Sequence, residues 1–444
     1  MKYIILSALS PRFNTIGTLR IEKLSKYLSQ RNEVTIISGM PELEKDSPLF
    51  KRTFDIGSSK LIEIDAHRFK RENKNPVKLQ KKKSSLSSIK TKIKNILSPL
   101  VEYYLPMSPG GMVWHRKKVF RKEVEKAIED NKDQRIVLYS SFGPWFTTKL
   151  ALNIKRKYGK KIFWIADFRD PSFNNPHSQF SNLLIFRRST KKILRNADLI
   201  TCINKQMIDD YSLISDKNKF MYLPNGFDPI DIQKTNGDLR KEIKNDGLFK
   251  IAYTGSFYPG FGRDITPFVS VLKNLKKKDY DIYKKIVFLY AGKDSKYVKS
   301  QFRKSKIDDK LEDYGLVDRN KSIRIQSKAD LLLLITYTGT NSDKGKGILT
   351  GKCYEYLASE KPILMIGSKK WELRELLLED GISKIFNAED VEGMSKYLCE
   401  LVKGSVNIEV SKRKEKLKSF EYPYLAIKLH NEVSKMIEGK ENEY

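Results

Sequence analysis

Four residues in the C-terminal third of the chain combine types and spacing that suit a phosphorylated ligand: Thr350, Gly351, Lys352 and Glu355. A small-residue turn leads here into a short predicted helix. The first N–H groups of a helix have no partner within it and point beyond its end. Gly351 would let an anion approach the backbone, and Lys352 would add a positive charge. The pattern predicts a diphosphate site; the alternative is a purely structural helix start that Thr350 caps.

Glu355 lies three residues after Lys352, on the same face of the predicted helix. A carboxylate can accept hydrogen bonds from two vicinal hydroxyl groups with its two oxygens. Glu355 is therefore a candidate for binding a ribose beside the diphosphate. The alternative is that it only compensates the helix dipole in the first turn, which is a much smaller effect.

The predicted strands and helices that carry these residues follow a β-α-β-α rhythm that restarts once along the chain. Short β-branched segments alternate with amphipathic ones, which is typical of parallel sheets covered by helices. The predicted strands are 3–9, 33–39, 135–141, 161–167 and 199–204, then 249–255, 285–292, 311–317, 329–336 and 383–388. A chain of 444 residues is also too long for one ordinary domain. We expect an α/β protein with two Rossmann-like, doubly wound domains.

The restart of the rhythm sets the predicted domain boundaries. The first domain is predicted to span 1–228, and a polar linker rich in Lys and Asp occupies 229–247. The second domain is predicted at 248–415. The final segment, 416–444, has helical periodicity and is expected to cross back to the first domain.

The composition narrows the class of protein. The formal net charge is +31, from 85 Lys and Arg against 54 Asp and Glu, which predicts attraction to nucleic acid, anionic lipid or phosphorylated substrates. A Lys-rich host composition is the alternative explanation. The longest apolar run, 331–337, is too short to span a bilayer, and the N-terminus lacks the features of a secretory signal. The 3 scattered cysteines favour a reducing cytoplasm and indicate no metal site.

A basic insertion at about 68–105 departs from the rhythm. Residues 68–94 carry eleven Lys or Arg and one acidic residue, Glu72. Residues 86–100 place Leu and Ile three and four positions apart, as in an amphipathic helix that lies on a membrane surface. The alternative is a solvated insertion that covers the domain edge. Lys prevails over Arg and no known DNA-binding or RNA-binding motif occurs, so the pattern does not favour nucleic acid.

The stretch GKCYEYLASEKPILMIG, residues 351–367, resembles the donor-site segment of glycosyltransferase family 4 and its relatives with the GT-B fold. There a helix of the form Glu-small-Met/Leu-Ala, followed by a turn and an apolar strand, holds a nucleotide sugar. The resemblance implies that Glu355 binds the ribose. The family's first glutamate, eight residues earlier, falls on Gly347, so the chain departs from the paired-glutamate pattern.

A second stretch, 253–264, resembles the family's Gly-rich turn after the first strand of the C-terminal domain. The turn here includes Gly255, and in the family a basic pair that follows it holds the pyrophosphate. Ser256 stands where Arg is common, and Arg263 falls near the expected Lys. The resemblance therefore implies that Gly255, Ser256 and Arg263 belong to the donor site.

Two stretches of the first half resemble the acceptor side of the family. Residues 11–39 resemble its acceptor loop and first helix, and 166–172 resembles an Asp-Leu-Arg-Asp-Pro segment facing the cleft. The residues singled out in these stretches are Gly17, Asp167, Arg169 and Asp170. Ligands sit at the carboxyl ends of parallel strands, so these side chains could line the cleft, with Asp167 as a catalytic candidate. The alternative is an internal ion-pair turn that holds the strand end.

The resemblance, completed by 197–229 at the end of the first half, covers nearly the whole chain except 68–110. It implies retaining sugar transfer from a nucleotide sugar, with UDP favoured, to a saccharide or lipid-linked saccharide in surface polysaccharide or glycoconjugate synthesis. Arg263 and Lys352 would stabilise the leaving diphosphate, with no cofactor or metal. The basic insertion would place the enzyme on the anionic inner face of the cell membrane. A nucleotide-sugar epimerase of the same fold and a non-catalytic polyanion-binding scaffold stay open as alternatives.

Overall fold

The computed structural model describes residues 1–40, 47–51, 53–64, 107–108, 111–112, 114–143, 145–173, 184–216, 219–233, 246–260, 262–340, 342–359, 361–404 and 411–441. The basic insertion at about 68–105, with the amphipathic helix predicted at 86–100, lies outside these described residues. The chain divides into two units. The first comprises Met1–Ile203, Met207–Leu223 and Ala426–Tyr444, and the second comprises Asn204–Gln206 and Pro224–Leu425.

The first unit contains nine strands among its described residues. They are β1 (Lys2–Ser7), β2 (Glu33–Gly39), β3 (Lys60–Ile64), β4 (Met107–Ser108), β5 (Gly111–Met112), β6 (Ile136–Ser141), β7 (Ile162–Phe168), β8 (Leu199–Cys202) and β9 (Phe220–Tyr222). β4 and β5 form a short antiparallel pair. The other strands form one parallel sheet in the order β3-β2-β1-β6-β7-β8-β9. Its central strands are buried along their whole length, as in a sheet covered on both faces.

The described residues of the second unit form a parallel sheet of six strands. They are β10 (Phe249–Thr254), β11 (Ile286–Ala291), β12 (Leu311–Asp313), β13 (Leu331–Ile335), β14 (Ile363–Ile366) and β15 (Lys384–Phe386). The order is β12-β11-β10-β13-β14-β15. Two apolar clusters, one on each face, form the core of this unit.

Helices connect the strands in both units. They are α1 (Ile16–Leu28), α2 (Trp114–Glu129), α3 (Trp145–Tyr158), α4 (Leu184–Asn196), α5 (Lys205–Ser212), α6 (Thr266–Lys278), α7 (Tyr280–Lys285), α8 (Ser295–Lys304), α9 (Arg319–Ser327), α10 (Ser342–Gly345), α11 (Gly351–Ala358), α12 (Arg374–Leu378), α13 (Val391–Val402), α14 (Ser411–Leu417) and α15 (Tyr422–Glu441). None of the helices in the described part of the chain combines the length and apolar composition that crossing a bilayer requires.

The strand order reverses once in each sheet, and this reversal determines where a ligand can bind. It lies between β1 and β6 in the first unit and between β10 and β13 in the second. Connections diverge to opposite faces at such a point and leave a crevice outside the carboxyl ends of the strands. The predicted doubly wound α/β class is therefore confirmed. The last part of α15 belongs to the first unit, as predicted, and the Tyr3 hydroxyl there lies 3.1 Å from His430 Nδ1.

A buried ion pair joins α1 to the carboxyl end of β7. The side chains of Arg20 and Asp167 are both 0% exposed, with Nη2 and Oδ1 2.8 Å apart. Arg20 also donates from Nε to Asp167 Oδ2 at 3.2 Å and from Nη2 to the Leu223 carbonyl at 2.9 Å. Thr201 on β8 donates to Asp167 Oδ1 at 2.7 Å. One guanidinium group thus joins the first helix, two strand ends and the exit from β9.

We expect Asp167→Asn to lower the free energy of unfolding by about 3–5 kcal/mol, because it leaves the buried Arg20 charge without a counter-charge. Urea denaturation of the purified chain, followed by circular dichroism, measures the loss. The matched control is Glu33→Gln, which removes the pair with Lys2 in which the Glu33 side chain is 59% exposed. The Glu33→Gln substitution should lower the free energy of unfolding by at most about 1 kcal/mol. Equal losses for the two variants would contradict a stabilising role for the buried pair.

Candidate anion-binding site

The glycine-rich loop after β10 is held in one conformation by the backbone. Tyr258 N donates to the Arg263 carbonyl at 2.8 Å, and Thr338 N donates to the Gly262 carbonyl at 2.7 Å. Gly262 has a φ of +80°, and a Cβ there would lie 2.5 Å from the ring of Tyr337. Only glycine combines this left-handed backbone with so close a neighbour. The loop therefore presents Arg263 from a defined position beside β10.

Lys352 packs against the first residue of this loop. Its Nζ lies 3.6 Å from the centroid of the Tyr253 ring, and that ring stacks on Phe257 at 4.3 Å. A Cβ at Gly255, whose φ is +127°, would lie 2.6 Å from the same Nζ. The buried Nζ has no hydrogen-bond partner among the described residues. The Tyr253 ring thus offers this ammonium group a cation–π contact in place of a hydrogen bond.

Arg263 supplies a second cation to the same place. Its side chain makes no ion pair with any described residue, its Nε is buried without a partner, and only 9% of the residue is exposed. The guanidinium carbon lies 5.1 Å from the centroid of the Tyr258 ring. Burial lowers the pKa of Lys352 well below its ordinary value, and the nearby charge of Arg263 lowers it further. Burying two cations without carboxylate partners is costly, and a bound anion would offset that cost.

The start of α11 adds uncapped backbone to these cations. Thr350 occupies the cap position with extended backbone, φ −80° and ψ 144°, but its side chain makes no capping hydrogen bond. Its buried Oγ1 has no partner among the described residues. The alternative in which Thr350 caps the helix is therefore not what the structure shows. The N–H groups at Gly351 and Lys352 remain available to an anion.

Glu355 is buried on α11 and is held by an arginine that the sequence analysis did not identify. Arg319, at the start of α9, donates from Nη1 to Glu355 Oε1, and its Nη2 lies 3.6 Å from Asp231 Oδ2. Burial alone would lower the pKa of Arg319, but the Glu355 and Asp231 carboxylates outweigh it and raise that pKa. Glu355 Oε2 accepts no hydrogen bond from the described residues. Glu355, the predicted partner of the ribose, thus has one carboxylate oxygen engaged by Arg319 and one available.

The structure brings most of the predicted donor residues together. Gly255, Arg263 and Lys352 are neighbours, and Thr350 and Glu355 belong to the same helix start. Ser256 contacts this group through its backbone, because its carbonyl accepts a hydrogen bond from the Tyr253 hydroxyl at 2.9 Å. The sequence analysis missed the two side chains that hold the charged groups in place, Tyr253 and Arg319. The local signal for Tyr253 is an aromatic residue two positions before Gly255.

Gly347 occupies the position of the family's first glutamate. Its carbonyl accepts a hydrogen bond from Asn204 Nδ2 at 2.8 Å. A Cβ at Gly347 would lie 3.1 Å from the Cβ of Gln206, which is a tight contact. The chain packs its own backbone where the family pattern has a carboxylate. Among the described residues, no group of three or more His, Cys, Asp or Glu side chains could hold a metal ion.

Three of the predicted acceptor-side residues lie together in the first unit. Arg169 donates from Nε to the Phe142 carbonyl at 2.8 Å and from Nη2 to the Gly143 carbonyl. A Cβ at Gly17 would lie 1.5 Å from Arg169 Nη1, so Arg169 packs directly against the start of α1. Asp170 is exposed beside them. Gly17 lies in the connection after β1, and Arg169 and Asp170 directly follow β7, so all three residues are at the carboxyl edge of the first sheet.

Asp167 differs from these three residues because it is enclosed. Its carboxylate is fully occupied by Arg20 and Thr201 and has no exposed surface. This arrangement matches the alternative of an internal ion pair that holds the strand end. A catalytic role for Asp167 stays a prediction, and it would require the buried pair to open.

Comparison with known proteins gives matches in structure only. No family model matches the chain, and no curated protein matches it. The N-terminal domain of a Candida albicans trehalose-6-phosphate phosphatase has a TM-score of 0.63 at 12% identity, covering 98% of this chain and 97% of that one. Anabaena HepE in complex with UDP-glucose has a TM-score of 0.58 at 12% identity, and the match covers 98% of this chain and 100% of HepE. A trehalose-6-phosphate synthase, studied for glycosyl transfer with retention, has a TM-score of 0.58 at 13% identity, covering 98% and 99%.

These solved structures have the GT-B fold, in which two Rossmann-like domains are joined in one chain. The present chain matches them over nearly its whole length and has a doubly wound parallel sheet in each unit. It therefore has the GT-B fold, which confirms the fold class that the sequence predicted. At these identities the likeness establishes the fold, and the chemistry rests on the site itself.

We expect Tyr253→Leu to weaken the binding of UDP by about 0.5–2 kcal/mol, because it removes the aromatic face that stabilises the protonated Lys352. Tyr253→Phe keeps the ring and should bind within about 0.5 kcal/mol of wild type. A protonated Lys352 favours the diphosphate. Binding should therefore weaken as pH rises through the pKa of Lys352, and this decline should begin at lower pH in Tyr253→Leu.

Isothermal titration calorimetry with UDP across a pH series measures both effects. The Phe variant controls for the loss of the hydrogen bond between the Tyr253 hydroxyl and the Ser256 carbonyl. Tighter UDP binding in the Leu variant would show instead that Lys352 must leave the ring to reach the ligand.

Proposed function

We propose that this protein transfers a sugar from a nucleotide sugar, with UDP as the nucleotide, to a saccharide or lipid-linked saccharide. The observation that carries the proposal is the pair of buried, unpaired cations, Arg263 and Lys352, beside the uncapped start of α11. A diphosphate matches two such cations in charge and can accept hydrogen bonds from the helix N–H groups. HepE, which shares the fold, was solved with UDP-glucose, and this supports a UDP-sugar as the donor.

The same groups account for acceleration of the reaction. When the bond between the sugar and the diphosphate breaks, negative charge grows on the departing diphosphate oxygen. Groups already positioned at that oxygen stabilise the transition state more than the bound donor. Arg263, Lys352 and the backbone N–H groups of α11 fill this role from the protein itself. We therefore propose glycosyl transfer that needs no metal ion.

Glu355 is proposed to bind the ribose through Oε2. Arg319 engages Oε1, so the carboxylate approaches a ligand in a fixed orientation and with one accepting oxygen. A hydrogen bond to a charged acceptor contributes about 1.5–3 kcal/mol when it forms in a largely buried site. Arg319 is thus a positioning residue that acts through Glu355.

The acceptor side is proposed to lie at the carboxyl edge of the first sheet. Gly17, Arg169 and Asp170 meet there. Asp170 is an exposed residue, but desolvation of its carboxyl group raises the pKa of that group, and the carboxyl can exchange hydrogen bonds with sugar hydroxyls. A lipid-linked acceptor would place the protein on the inner face of the cell membrane, in surface polysaccharide or glycoconjugate synthesis. That part of the proposal rests on the basic insertion at about 68–105.

Truncation of the ligand separates the two proposed subsites. Lys352→Met should weaken UDP binding by about 1.5–3 kcal/mol, because it removes a charged partner of the diphosphate, and should leave uridine little affected. Glu355→Gln should weaken uridine, UMP and UDP alike. If the ribose 2′-hydroxyl is the partner of Glu355, the substitution should hardly change the binding of 2′-deoxyuridine diphosphate, which lacks that hydroxyl. Wild type and Glu355→Gln, each measured with the two diphosphates, form a double-mutant cycle, and its coupling term isolates the contact. Calorimetric dissociation constants for the four ligands provide the measurement.

Lys293→Met is the matched control for Lys352→Met. Lys293 is exposed, and its Nζ lies 5.6 Å from the centroid of the Tyr258 ring, so the control removes the same charge beside the site without touching the proposed contact. It should change UDP binding by at most about 0.5 kcal/mol. Equal losses for uridine and UDP in Lys352→Met would indicate a structural effect and would reject the diphosphate role.

The stereochemical prediction is retention of the anomeric configuration of the donor. A trehalose-6-phosphate synthase of the same fold was studied for transfer with retention, which supports this expectation. Proton NMR of the first-formed product reports the anomeric coupling directly. An inverted product would contradict retention and would require a general base. A change in the donor sugar without transfer would favour the epimerase alternative, and nucleotide binding with no turnover would favour the non-catalytic scaffold.

A further inference from the structure

α4, in the first unit, carries a stripe of exposed side chains along its whole length. Positions three and four residues apart lie on one face of a helix. The members of the stripe are Leu184, Arg187, Arg188, Lys191, Lys192 and Arg195. The opposite face, which includes Phe186 and Ile193, is buried in the core of the unit. This stripe of α4 contains five cations, and the helix contains no acidic residue.

The charges of the stripe are not compensated within the described part of the protein. None of its five cations forms an ion pair with a described residue. Basic residues on the neighbouring helices do form such pairs: Arg121 and Lys157 lie 3.3 Å and 3.1 Å from Glu125. A dense row of uncompensated cations creates a positive potential that attracts an extended anionic partner.

The stripe lies on the outside of a layer that is itself basic. α2, α3 and α4 cover the same face of the first sheet and share one core. Lys118, Lys122 and Arg156 are exposed on the outer side of this layer. The basic surface therefore continues beyond α4, and a partner that follows it must be broad as well as negatively charged.

We propose that the stripe of α4 docks the first unit onto an anionic phospholipid surface. A straight helix of this length presents a flat row of about 20 Å, which suits a flat partner. Leu184, at one end of the row, is 68% exposed, and its apolar side chain would be buried among lipid headgroups. Among the described residues the stripe has no exposed aromatic side chain on which the bases of a nucleic acid could stack.

The proposal is independent of the glycosyl transfer activity and of the basic insertion. Each basic side chain held near an anionic membrane strengthens binding roughly fivefold, so removing three of them should weaken it about a hundredfold. This effect should decrease with added salt, because mobile ions screen exposed charges. The contribution of Leu184 should persist at high salt.

The test is co-sedimentation of the full chain with vesicles of phosphatidylcholine, alone or mixed with phosphatidylglycerol. The stripe variant is Arg187→Gln, Lys191→Gln and Arg195→Gln, which changes exposed positions only. The control variant makes the same change of charge on α8 of the second unit, where Lys296, Arg303 and Lys304 are exposed and form no ion pair with described residues. Leu184→Ser tests the apolar contact at high salt.

The expected result is binding to the mixed vesicles that falls about a hundredfold in the stripe variant and much less in the control. Equal losses of vesicle binding in the stripe variant and the control would show that net charge alone attracts the protein, and would overturn the proposal. Binding to neutral vesicles as strong as to the mixed vesicles would also overturn it. A single-stranded RNA that loses affinity for the stripe variant while vesicle binding stays unchanged would assign the surface to nucleic acid. UDP binding should be the same in all variants, so a failure of the donor-site proposal would leave the vesicle result interpretable.

Discussion

The arrangement of the second unit depends on two positive charges that the protein buries without pairing them. Lys352 and Arg263 lie close together, and neither meets a carboxylate among the described residues. Such an arrangement costs stability unless an anion arrives, because burial and mutual repulsion both disfavour the charged forms. Stacking on Tyr253 and Tyr258 reduces that cost without neutralising the charge. The site therefore suits a ligand with at least two negative charges.

Sheet topology explains why this pair of cations occurs where it does. β10 and β13 are neighbours at the point where the strand order reverses, so the loops that follow them diverge and leave room outside the sheet. Gly255 and Gly262 then allow Lys352 and the Tyr337 ring to pack closer to the backbone than any side chain would permit. This connection pattern brings the two cations, the glycines and the start of α11 to one place.

The first unit shows the contrasting use of buried charge. Arg20 and Asp167 neutralise each other in the interior and are satisfied further by Thr201 and the Leu223 carbonyl. This closed network lies at the carboxyl edge of the sheet, directly before Arg169 and Asp170. A paired buried charge orders its surroundings, whereas the unpaired charges of the second unit create affinity for a ligand.

The elements and the local chemistry can be predicted from the amino-acid sequence: the strand and helix rhythm, the two parallel sheets, the glycine-lysine helix start and the carboxylate at Glu355. These features depend on periodicity and on residues within a few positions of one another, which a sequence displays directly. Three contacts become visible in the folded chain and not in the sequence: Arg319 holds Glu355, the Tyr253 ring packs against Lys352, and Arg20 encloses Asp167. Each of these partners comes from a different strand or helix, and chain folding alone determines which side chains meet.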